Sequence, residues 1–176
     1  PLNLVALLPI TENMPSGHAT KPGDILTMRS GKTVEIINTD AEGRLILADA
    51  LDYAKKFDPQ AVIDIATLTG AALFILGYAG APILGNNADL TKRIEAASKV
   101  TAERVWHLPI WDDHREQMKS PVADLVNSGG RPAGTIAASA FLENFIGEWP
   151  WLHIDIAWMD MEYQGKPYTP KGASGF

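Results

Sequence analysis

Apolar runs of strand length alternate with helical stripes along this chain, and that order constrains its fold more than any other feature. Residues 2–8 form a largely apolar run, expected as a central strand covered on both faces. Residues 25–28 and 33–37 flank Arg29-Ser30-Gly31-Lys32, the pattern of a hairpin. A helix is expected over about 41–56, with Leu45, Ala48 and Leu51 inward, Asp40 as its N-cap and Asp58-Pro59 closing it. Residues 61–66 read as a second buried strand, 67–70 as a turn and 71–77 as a short apolar helix. Residues 81–84 are a further strand candidate, which Pro82 would hold at an edge. Leu90, Ile94 and Ala97 mark a helix over 89–104. Residues 106–110 suggest an extended piece, 112–119 a short helix, 133–146 a packed helix and 151–157 a last strand. Residues 11–24, 127–134 and the tail from 164 read as loops. The order predicts a three-layer α/β/α arrangement around a mixed, largely parallel sheet, with the hairpin near Met28 supplying the mixture.

At 176 residues the chain is long enough for one domain with a core, or for a large piece of a bigger one. It has no cysteine, which excludes disulfides, thiolate zinc sites and cysteine nucleophiles and fits a cytoplasmic location. A net charge of −6 argues against a nucleic-acid surface. The longest apolar run, over 71–81, is too short to cross a bilayer. The start at Pro1 reads as a strand already under way, so the expectation is a chain cut from a longer protein.

The chemistry concentrates in Asn38-Thr39-Asp40-Ala41-Glu42-Gly43-Arg44-Leu45. At a strand-to-helix turn, carboxylates two residues apart can converge on one point, where a divalent cation would offset their repulsion. Gly43 would let a ligand approach the backbone. Arg44 sits in the first helical turn, where the helix dipole opposes a cation, so it needs a separate reason to be there. Its planar fork suits a carboxylate, a carbonate or an oxyanion. Spacing alone is a weak signal, because acids are common at helix starts.

The wider string is specific. Asn38 to Leu45 resembles, residue for residue, the signature of the leucyl aminopeptidase family of dinuclear-metal exopeptidases. The resemblance continues through Glu12-Asn13-Met14-Pro15, Pro22-Gly23-Asp24, Ser30-Gly31-Lys32-Thr33-Val34-Glu35, Asp64-Ile65-Ala66-Thr67-Leu68-Thr69-Gly70-Ala71, Gly129-Gly130-Arg131-Pro132-Ala133-Gly134 and His153-Ile154-Asp155-Ile156-Ala157. It implies that residues 1–176 are the C-terminal part of the catalytic domain. It implies that Asp40 and Glu42 bind two divalent ions, Zn²⁺ or Mn²⁺, with Glu42 bridging them. Arg44 would be the catalytic member, holding a bicarbonate that helps move protons. Leu68 and Gly70 would offer backbone groups to a peptide with a free amino terminus, with Thr67 and Ala157 lining the first side-chain pocket. The Gly129–Gly134 loop would lie near the active-site rim. Trp158 stands where the family usually has Gly, a departure that bears on the pocket's shape. Family members assemble as hexamers through this domain.

The family completes its metal site with a lysine and two aspartates, and uses a second lysine near the reacting carbonyl. All four precede the region matching Pro1, and no substitute for them is found here. The expectation is therefore an aminopeptidase site of which this chain carries the later half, with residues 1–176 alone inactive or nearly so. The competing reading is a non-catalytic binding or scaffold module that keeps the fold with an incomplete site. A two-metal phosphatase would bring His ligands, and none lies near Asp40 in sequence. Gly129–Gly134 lacks the Lys-Ser/Thr ending of a phosphate loop. Asp64, inside an apolar strand, is expected to make a structural hydrogen bond. His153 and Asp155 share a strand face, and the expectation is a core hydrogen-bonding pair rather than metal ligands.

Overall fold

A computed structural model describes residues 2–176. The hairpin forms as read, with β1 (Ile25–Thr27) antiparallel to β2 (Thr33–Glu35). Gly31, at φ +87°, supplies the left-handed turn conformation between them. A 3-10 turn, Thr39–Ala41, leads into α1 (Gly43–Ala54). Asp58, at φ +43°, ends the helical run, and Pro59 disfavours any continuation. There follow β3 (Val62–Ala66), α2 (Leu73–Leu76), β4 (Ala81–Gly85), α3 (Ala88–Thr101), β5 (Val105–His107), α4 (Asp112–Glu116), β6 (Leu125–Val126), α5 (Gly134–Leu142) and β7 (Trp151–Asp155). Two short strands, β8 (Met161–Glu162) and β9 (Gly172–Ala173), pair within the tail that had read as loop.

The main sheet has the order β3-β7-β4-β5. β3–β7 and β4–β5 are parallel and β4–β7 is antiparallel. The mixture thus comes from β4. The hairpin lies in a separate sheet, β1-β2-β6, closed by a two-residue strand too short for periodicity to reveal.

Alternation along β7 builds the three layers. Trp151 belongs to the core formed by Ala48 and Leu51 of α1 and Ala137, Phe141 and Leu142 of α5. Leu152 and Ile154 point the other way, against Ile83 and against Leu90 and Ile94 of α3. Helix α5 is apolar all round and buried over almost its whole length. Fully burying a side chain such as Phe141 contributes roughly 1.5–3 kcal/mol.

The hairpin therefore does not supply the mixture of the main sheet, and other expectations give way as well. Residues 2–8 are not a covered strand: among the described residues they pair with no strand, and Leu2 and Leu4 are 88% and 79% exposed. β4 is not at an edge, although it contains Pro82. The Ala81 N–H donates toward β5, so the Pro82 nitrogen faces β7, whose ladder with β4 begins only at Ile83. The missing N–H therefore costs no ladder bond. Finally, β3 is not buried on both faces. Asp64 is covered, but Ile63 and Ile65 are exposed, because α3 packs on β4, β5 and β7 and stops short of β3.

Candidate metal centre and substrate rim

The acidic turn is built by two asparagines. The Asn38 side chain accepts from the Asp40 N–H at 3.0 Å, so Asn38, not Asp40, caps the turn. Asp40 keeps its carboxylate free. Asn127, just after β6, is fully buried and staples the turn from behind. Its Oδ1 accepts from the Ile37 and Asn38 N–H groups at 2.8 and 3.2 Å. Its Nδ2 donates to the carbonyls of Asn38 and Ala41 at 2.7 and 3.3 Å. Its carbonyl accepts from Arg44 at 2.9 Å.

Asp40 and Glu42 are both exposed, and among the described residues neither forms an ion pair. Glu42 accepts one bond from the Asn13 amide, at 3.3 Å. Arg44 is the opposite case. Only 8% of it is exposed, and its Nε has no hydrogen-bond partner. Burial pushes its pKa down to about 10, against smaller opposing pulls from Asp155 and Glu42. A buried cation with an idle donor and no carboxylate at contact distance suits a small anion. Two exposed carboxylates with hard oxygen donors suit divalent cations.

The second turn, at Thr67–Gly70, stands beside the first. A Cβ placed on Gly43 would touch Leu68 Cδ1 at 3.5 Å, so Gly43 faces Leu68. Asp155 organises this turn and is fully buried. Its Oδ1 accepts from the N–H groups of Leu68, Thr69 and Ala157 at 3.0, 3.3 and 3.2 Å. Its Oδ2 accepts from the Thr69 hydroxyl at 2.6 Å, and that hydroxyl also lies 2.7 Å from the Thr135 hydroxyl on α5. One carboxylate thus holds Leu68 and Ala157 at fixed separation. The Leu68 N–H is thus committed, whereas its carbonyl and the Gly70 N–H make no hydrogen bond among the described residues. Gly134 abuts Ala71, which brings the Gly129–Gly134 loop against the same turn.

Asp64 makes the structural hydrogen bonds expected of it, but the expected His153–Asp155 pair is not formed: the partner of His153 is Asp64, on the neighbouring strand. Asp64 accepts from the Trp151 indole at 2.6 Å and meets His153 Nδ1 at 2.5 Å. Burial drives the His153 pKa down, but Asp64, helped by Asp155, more than reverses this and raises it above the ordinary value. His153 and Asp155 do not bond each other; each serves a different network. Asn127 was missed in the sequence, where it reads only as the first residue of a loop. The role of Asp155 was missed too, since the turn it holds lies 86 and 87 residues away.

Fold and site together define a three-layer α/β domain in which an acidic turn, open to solvent, backs onto a buried arginine. The chain belongs to the cytosol aminopeptidase family: the model of that family's catalytic domain matches residues 1–176. It is 56% identical over 175 residues to the "Probable cytosol aminopeptidase" of Geobacter sulfurreducens, covering 99% of this chain and 35% of that protein. The protein of the same name from Cenarchaeum symbiosum is 55% identical over 181 residues, covering 100% of this chain and 37% of the relative. That from Stutzerimonas stutzeri is 53% identical over 175 residues, or 99% and 35%. The chain therefore spans little more than a third of the length of these relatives. No helix among the described residues is long and apolar enough to cross a membrane.

Proposed function

We propose that residues 1–176 are the C-terminal part of the catalytic domain of a cytoplasmic, metal-dependent aminopeptidase and carry the later half of its site. Asp40 and Glu42 would hold a pair of divalent ions, Zn²⁺ or Mn²⁺, with the remaining ligands coming from chain outside this segment. Bound there, such ions would polarise the scissile carbonyl and activate water. The observation that carries the reading is the pairing of two exposed, unpaired carboxylates with a buried arginine whose Nε is idle.

The protein's own groups divide the remaining work. Arg44 would bind a small planar anion, bicarbonate on this reading, near the reacting atoms and so favour proton transfer there. The Leu68 carbonyl would accept from a substrate N–H and the Gly70 N–H would donate to a substrate carbonyl. Thr67 and Ala157 would face the first side chain, at a spacing set by Asp155. Peptides with a free amino terminus are the proposed substrates, and a homo-hexamer the proposed assembly.

The test uses the full-length polypeptide that carries residues 1–176, loaded with Mn²⁺ or Zn²⁺, and an aminoacyl chromogenic substrate. Glu42→Gln is expected to lower kcat/KM by at least about 100-fold, since ligand loss costs no less than loss of a ligand's support. Residues 1–176 alone are expected to turn over little or nothing. Robust metal-dependent turnover by the isolated segment, abolished by Glu42→Gln, would overturn the half-site reading. A full-length polypeptide that binds both ions and hydrolyses no aminoacyl substrate would favour the scaffold reading.

A further inference from the structure

We propose that Trp158 limits the size of the first side-chain pocket by bridging its two walls. The inference rests on the aminopeptidase reading and names a specificity determinant of that same site. Trp158 has φ +73°, in the left-handed region where a bulky residue is an outlier. Such a conformation persists only where surrounding contacts hold it.

Neighbouring groups supply those contacts. The Trp158 indole N–H donates to the Gly70 carbonyl at 3.2 Å, across 88 residues of chain. The ring meets Tyr78 edge-on, with centroids 6.4 Å apart and planes at 84°. Tyr78 in turn meets Tyr163 at 5.8 Å and 70°. The three rings form one continuous apolar strip.

Both ends of the indole are anchored to the proposed pocket. Its backbone follows Ala157, whose N–H is tied to Asp155. Its tip reaches Gly70, two residues beyond Leu68, whose N–H is tied to the same carboxylate oxygen. The indole therefore crosses from the Ala157 segment to the Thr67–Gly70 turn, the two segments that Asp155 ties together. A short or branched first side chain fits beneath such a bridge. A wide aromatic one must break the bond to Gly70 and swing the ring aside.

The experiment uses the full-length, metal-loaded polypeptide and the nitroanilides of Ala, Leu and Phe. Trp158→Gly is expected to raise the Phe-to-Ala ratio of kcat/KM by about tenfold, mainly through KM, the size of effect that a few methylenes of pocket space produce. Trp158→Phe keeps a ring but loses the N–H, so a smaller rise in the same direction is expected. Glycine adopts φ +73° without strain, and Trp158→Asn, which also tolerates this region, replaces it should the glycine variant melt early. An unchanged Phe-to-Ala ratio in a folded, active variant would overturn the inference and leave the aminopeptidase reading standing. A metal-loaded wild type that hydrolyses none of the three substrates would remove both.

Discussion

Two pairs of acids lie within the same domain and behave in opposite ways. Asp40 and Glu42 face solvent with almost no protein partners. Asp64 and Asp155 are buried, and every carboxylate oxygen of theirs is hydrogen-bonded. Residue type does not separate them, and neither does spacing from a neighbouring acid or histidine. What separates them is whether the fold has already used their lone pairs. A carboxylate consumed by N–H groups is scaffold, whereas one left open on a rigid turn is free to bind.

The sharpest way to break this contrast is at Asp155. Asp155→Ala would leave the N–H groups of Leu68, Thr69 and Ala157 without their acceptor in a dry site. It is expected to destabilise the domain by about 3–5 kcal/mol in urea unfolding, summing the cost of several orphaned donors. A loss below about 1 kcal/mol would show that these loops hold their places without it.

Next in size is the buried His153–Asp64 pair. A histidine whose pKa is raised on folding adds stability that is complete below its ordinary value of 6.5 and is lost as pH rises through the folded value. His153→Gln is therefore expected to cost most below that ordinary value, on the order of 1–2 kcal/mol, with the gap to wild type narrowing at alkaline pH. A gap that widens with pH would mean that His153 is neutral in the fold.

The smallest effect belongs to the open pair. Asp40→Asn and Glu42→Gln should change metal-free stability by less than about 0.5 kcal/mol, as expected of surface positions, even though the proposed metal site needs both carboxylates. A large loss of stability from either would mean that the open pair, too, supports the fold.

Much of this organisation was legible in the residues. Leu45, Ala48 and Leu51 repeat at helical spacing and do face the core. The hairpin punctuated by Gly31, the strand through Asp64 and the strand through His153 all form where the pattern puts them. Other features were not legible, each for a physical reason. An apolar run such as residues 2–8 reads as a strand, but a strand needs edge partners, and these residues have none among the described residues. Pro82 argues for an edge until the register shows that its nitrogen faces a gap in the ladder. Asn127 and Asp155 look like ordinary polar residues because most of their partners are distant in sequence.

The sequence by itself determined the order of strands and helices, the acidic octapeptide and the kinship it signals. These are encoded in contacts two to four residues apart, which a linear pattern can hold. Only the tertiary structure decided which acids are spent and which are open, that Asn127 props the acidic turn from behind, and that one buried carboxylate joins Leu68 to Ala157. Those decisions depend chiefly on hydrogen bonds spanning more than 80 residues, and the partner in such a bond is chosen by the packing of the sheet and helices, not by the residues beside it.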